Sequence, residues 1–122
     1  KEVTETFQLI SFKLLEKYQV IVLYMSKEAN KKEVKESLKR MFMPSMEQIV
    51  IGDFNFDSQK RNEVSGFLEK SFLKQLVKQP THWAGRTLDH VYVPEGLINL
   101  VELKIVFKYY SDHAALQIKF KM

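Results

Sequence analysis

The sequence has no cysteine, so it can form neither a disulfide framework nor a thiolate zinc site. No apolar run approaches the roughly 20 residues of a bilayer span, which argues against a spanning helix and a membrane partner. Nothing after Lys1 has the basic, apolar and small-residue pattern of a signal peptide. Position 1 is not methionine, so the expectation is a processed chain or a piece of a longer one. No repeat, low-complexity tract or linker divides the 122 residues, so they are taken as one domain, 1–122. Neither sign of charge is in large excess. A net charge of +4 permits a phosphate-rich partner without identifying one. What is present is an ordinary globular composition, with enough Phe, Leu, Ile and Val for a core.

The chain is organised around Ile49-Val50-Ile51-Gly52-Asp53-Phe54-Asn55. The apolar, mostly β-branched run suits a strand covered on both faces. Gly52 allows a tight exit and a close approach by another backbone or a ligand. Asp53 and Asn55 are two apart and point the same way if the extended geometry continues. One offers an anionic oxygen and the other a neutral amide, a pair that suits phosphate and a hard metal ion. An Asp/Asn turn after a strand accounts for the same residues without any ligand.

Around this stretch the sequence predicts strands over 7–15 and 18–24, joined by a tight turn at Glu16-Lys17. Val34, Leu38, Met41 and Phe42 recur at helical spacing, giving a helix over 31–41 that Pro44 ends. Its lysines and glutamates interleave, which reads as a solvated face rather than a nucleic-acid grip. A second helix is predicted over 63–77 from Val64, Phe67, Leu68, Phe72, Leu73, Leu76 and Val77, with Asn62 or Ser58 as its cap. Its aromatic residues read as core. After a loop over 78–86, strands are predicted over 87–93, 101–108 and 114–120, the last two with clean alternation. Tyr109 to His113 forms a polar interruption between those two. The class is α+β, mainly antiparallel strands with two helices.

Three motifs recur beside strands in a fixed order: Gly52-Asp53-Phe54-Asn55, Leu88-Asp89-His90-Val91-Tyr92-Val93 and Ser111-Asp112-His113. In that order they resemble the endonuclease/exonuclease/phosphatase superfamily, which includes deoxyribonucleases, abasic-site and retrotransposon endonucleases, and inositol-phosphate phosphatases. The resemblance runs from about Tyr18 to the C-terminus. It implies the C-terminal half of a four-layer α/β/β/α sandwich, hence a partial domain. It also implies hydrolysis of a phosphodiester with Mg²⁺ (or Mn²⁺), an ion that prefers carboxylate and water oxygens.

His113 is the natural acid/base group, since imidazole titrates near neutrality. The resemblance makes Asp89 its carboxylate partner and puts Asp112 at or beside the metal. Asp53 is then a metal-site residue that orients water or protonates the leaving group. Asn55 holds a phosphate oxygen or the nucleophile, and Tyr24, at a strand end, contacts phosphate. His90, next to Asp89, faces the other side of its strand and is structural. The Pro80-Thr81-His82 stretch is similar to nuclease domains of mobile-element proteins. Its loop borders the active face there, so Trp83 or Arg86 would touch a nucleic-acid strand. A loop tryptophan packed as a plug is the other reading.

Two departures stand out. The family's main metal-binding glutamate comes from a first half with no counterpart here: Glu2 and Glu5 lack an apolar strand context. Lys27 stands where many nucleases have asparagine. The expected function is a metal-dependent phosphodiester hydrolase acting on DNA, of the mobile-element kind, inside the cell and with the nucleus as one compartment. The partner besides nucleic acid is the missing N-terminal half or a second chain. A non-catalytic remnant or interaction module, and a phosphatase of small or lipid phosphates, are the alternatives. A missing half-sheet would leave an exposed strand edge and apolar face.

Overall fold

A computed structural model describes residues 2–3, 6–58, 60–107 and 111–121. Lys1, Glu5 and Tyr109, named above, lie outside the described residues, as do Gln59 and, within the predicted stretches after Val101, Lys108 and Tyr110. The architecture is α+β with mostly antiparallel strands. One sheet has the order β1-β2-β3-β4-β6-β5, built from Glu2–Val3, Phe7–Leu14, Tyr18–Met25, Glu47–Asp53, Asp89–Pro94 and, at the far edge, Leu73–Gln75 (β5). Among the described residues only β3 and β4 run parallel, and helix α1 (Lys31–Met41) makes the crossover between them. A separate antiparallel pair is formed by β7 (Val101–Val106) and β8 (Ala115–Phe120). No helix among the described residues is long and apolar enough to cross a membrane.

Strand alternation divides the interior into two cores. On one side, Leu9, Ile21, Leu23, Val50 and Tyr92 meet Val34 and Leu38 of α1, and Val64 and Leu68 of α2 (Glu63–Lys70). On the other, Val20, Ile49, Val91 and Val93 receive Leu103, Ile105, Leu116 and Ile118 from the β7–β8 pair. The described residues therefore form three layers, helices on sheet on sheet. Each fully buried aliphatic contributes about 1.5–3 kcal/mol.

The helix starts follow from their caps. Asn30 accepts from the Lys32 and Glu33 amides at 3.0 and 3.1 Å. Asn62 and Ser65 form a capping box at the start of α2. The end of α2 departs from the prediction, because the helix stops at Lys70 rather than continuing to Val77. Phe72 takes a left-handed φ of 64° with its ring exposed, and Leu73–Gln75 pair as β5 with β6 instead. Leu73 still enters the first core and Leu76 and Val77 the second. Apolar residues that suited a helix therefore suit a strand edge equally well.

The β2–β3 turn is also displaced from Glu16-Lys17: Leu15 and Glu16 carry the positive φ values, and the Lys17 amide donates to the Leu14 carbonyl. Gly52 has φ +145°, and a Cβ there would sit 1.8 Å from the Leu23 carbonyl oxygen. The backbone of β3 occupies the space a side chain would need.

Candidate functional site

Cross-strand register builds the site first. Tyr24 on β3 pairs with Asp53 on β4, and Asp53 pairs with Asp89 on β6. Paired residues project to the same side of a sheet, so these three form a row at the strand ends. Their face is the one that Leu116 and Ile118 cover further along, against Val22, Ile51 and Val91. His90 projects to the opposite face, as the alternation requires. It is buried, stacks on Phe54 at 4.6 Å, and donates from Nε2 to the Thr87 and Phe56 carbonyls. Burial lowers its pKa.

The loop 79–86 brings in the last motif. Thr81 is fully buried, and its Oγ1 accepts from the Leu88 and Asp89 amides, both at 3.0 Å. Its carbonyl accepts from the Ala114 amide, and the Trp83 amide donates to the Asp112 carbonyl. One short segment thus ties the start of β6 to the chain entering β8.

His113 lies between the two strand-end carboxylates. Its Nδ1 is 2.9 Å from Asp89 Oδ2 and its Nε2 is 3.9 Å from Asp53 Oδ2. Burial pulls the imidazole pKa down. The hydrogen bond to Asp89 and the charges of Asp89, Asp53 and Asp112 outweigh it and raise the value above 6.5. Burial, and then the neighbouring Asp89 charge, raise the pKa of Asp53, against the opposing effects of His113 and the Asn55 amide.

The remaining expected residues divide. Asn55 does not continue the extended line: its φ is 54°, its backbone amide donates to Asp53 Oδ1, and its side-chain amide donates to the Met25 carbonyl. It ties the exits of β3 and β4 together rather than lying parallel to Asp53. Asp112 stands on the other flank of His113, with Oδ2 3.3 Å from His82 Nε2. Tyr24 is half-exposed at the end of the row, and Arg86 is exposed on the loop. Trp83 is 77% exposed and lines a groove with Gln79, Pro80, His82, Gly85 and Phe107. It is therefore not a packed plug.

Two ligand sets share His113: Asp53, Asp89 and His113, and His82, Asp112 and His113, each with donor atoms within 4.8 Å of one another. The carboxylate oxygens of Asp53, Asp89 and Asp112 suit a hard divalent ion. Among the described residues these carboxylates pair with histidines and with no Lys or Arg, so the chain itself balances little of their charge. Thr81 and His82 are the members whose roles the sequence did not show. The one signal was their place in a loop bordering the active face.

No protein-family model and no curated protein sequence matches the chain. Solved structures do. The endonuclease domain of TRAS1, a telomere-specific non-LTR retrotransposon, is similar with a TM-score of 0.70 at 16% identity, over 97% of this chain and 63% of that one. CdtB, the biologically active subunit of cytolethal distending toxin, is similar with a TM-score of 0.59 at 15% identity, over 92% and 51%. An endonuclease/exonuclease/phosphatase family protein from Leptotrichia buccalis C-1013-b gives 0.57 at 17% identity, over 95% and 54%. The chain shares the fold of these three structures and spans between 51% and 63% of their length.

Proposed function

We propose that this chain carries the acid–base half of a divalent-metal-dependent phosphodiester hydrolase acting on DNA, of the mobile-element kind. The observation that carries this reading is His113 held at Nδ1 by Asp89, with its Nε2 edge turned toward Asp53. Asp89 fixes the ring and stabilises the imidazolium that forms. Nε2 then takes the proton from a water whose oxygen bonds to phosphorus. As the P–O bond to the leaving group breaks, that oxygen receives a proton from Asp53, whose raised pKa favours the protonated acid. Asp112 is the residue that would hold Mg²⁺ or Mn²⁺, and Asp53 would join it as a carboxylate only once its proton has gone to the leaving oxygen. When bound, such an ion supplies positive charge at the phosphate oxygens. Tyr24, at the end of the row, and the Asn55 Nδ2 hydrogen not given to Met25 contact the phosphate, and Trp83 and Arg86 contact the nucleic-acid strand. The family's remaining metal carboxylate comes from elsewhere in the protein or from a second chain.

The test is nicking of supercoiled plasmid in Mg²⁺ by the protein that carries this chain. His113→Ala should lower the rate by about 10²–10⁴. Undiminished nicking would remove His113 as the base. An interaction module is the second reading, favoured by Ile10 and Phe12, which stand 43% and 51% exposed on the face of β2. A wild-type protein that nicks no DNA and hydrolyses no small phosphate ester would favour it.

A further inference from the structure

We propose that His82 is a positioning residue that aims the Asp112 carboxylate at the ion site, and is not itself an ion ligand. The proposal rests on the hydrolase reading above. Its basis is the tautomer that the loop imposes.

The Ala84 amide donates to His82 Nδ1 at 3.1 Å. A backbone N–H can only donate, so Nδ1 carries no proton and the ring proton sits on Nε2. Nε2 lies 3.3 Å from Asp112 Oδ2, so the N–H there points at the carboxylate. An Nε2 that carries a proton has no lone pair for a cation. Ligation through it would require an imidazolate, or loss of the Ala84 bond. His82 therefore belongs to the three-residue donor set by distance but not by chemistry.

His113 has the opposite arrangement, its Nδ1 donating to Asp89 and its Nε2 free of such a bond. The two rings stand edge to face, 5.3 Å apart at 84°. The site has two neighbouring histidines with complementary tautomers, one holding a carboxylate and the other held by one. Outer-shell donors of this kind tune the ligands they contact.

The loop makes His82 suited to this. Its own amide donates to the Arg86 carbonyl, and the Gly85 amide donates to the His82 carbonyl. Its backbone bridges to His113, and Trp83 grips the Asp112 carbonyl. The His82 side chain is only 11% exposed, whereas Asp112 is 56% exposed. An exposed aspartate would sample several rotamers, and the rigid imidazole restricts them.

The experiment uses His82→Ala and His82→Gln, since glutamine can place an N–H near the Nε2 position. Mn²⁺ affinity is read by electron paramagnetic resonance, the Mg²⁺ dependence of plasmid nicking is measured beside it, and the imidazole tautomer is read from nitrogen-15 spectra of wild type. The expected result is an Nε2–H tautomer and about 10–100-fold weaker ion binding in His82→Ala. Nicking at saturating Mg²⁺ should stay within a few-fold of wild type, and His82→Gln should recover most of the affinity. An Nδ1–H tautomer, unchanged affinity in His82→Ala, or a His82→Gln no better than alanine overturns the proposal. A wild type that neither nicks nor binds Mn²⁺ overturns the hydrolase reading, and the proposal with it. A wild type that does both, with His82→Ala unchanged, overturns the proposal alone.

Discussion

Asp53 and Asp89 face each other directly across β4 and β6, and His113 sits between their carboxylates. Like charges paired across strands cost stability, by an amount on the order of 1 kcal/mol or less. The cost falls at the end of the β4–β6 ladder, beyond the pairs Val50–Tyr92 and Ile51–Val91. Asp53→Asn removes one of the two charges and keeps an acceptor for the Asn55 amide. At pH 8 this substitution should raise the unfolding midpoint by a few degrees while abolishing nicking. A lower midpoint in calorimetry would mean that the carboxylate is stabilising rather than strained.

His113 gives a pH dependence of definite sign. Its pKa is raised in the folded chain, so the fold binds the proton more tightly than the unfolded chain does. The contribution to stability is complete below the unfolded value and is lost as pH rises through the folded one. Proton NMR of His113 should give a midpoint above 6.5. Removing the Asp89 charge with Asp89→Asn should lower that midpoint and cut nicking by about 10²–10⁴. An unmoved midpoint would mean that Asp89 does not hold the ring.

Trp83 is the only tryptophan, so fluorescence excited beyond the tyrosine absorption band reports on it alone. It is 77% exposed beside Phe107, in the groove next to the His82–Asp112 pair. Stacking of a base on such a ring is worth about 1–3 kcal/mol. Single-stranded oligonucleotide should quench the fluorescence, and Trp83→Ala should weaken binding by roughly tenfold or more with the fold unchanged. Titration without quenching would place the nucleic acid elsewhere.

Local periodicity predicts α1 with both its ends and the three strands observed as β3, β4 and β6, while the pairing of Asp89 with His113 comes from the resemblance of the motifs. Apolar alternation separates the two faces of a sheet, and three ordered motifs bring their polar ends to one place. The end of α2 was not legible, because a phenylalanine at φ 64° ends it where glycine or asparagine is usual. Nor was the turn of Asn55 away from Asp53, which depends on the Met25 carbonyl, distant in sequence. The tautomer of His82 depends on one backbone amide two residues on, and no spacing in the sequence encodes it.

β2 carries the consequence of the uneven second layer. Ile10 and Phe12 pair with Val22 and Val20, so they lie on the face that β7 and β8 cover over the neighbouring strands. Both remain about half exposed. Contiguous exposed apolar side chains favour association. The 122-residue chain should therefore self-associate with rising concentration in sedimentation experiments. Ile10→Thr with Phe12→Thr keeps strand-forming residues and removes most of the exposed apolar surface. This double variant should shift the chain toward monomer with its circular dichroism unchanged. Association unaffected by the pair would move the contact to another surface, such as the edge next to β5.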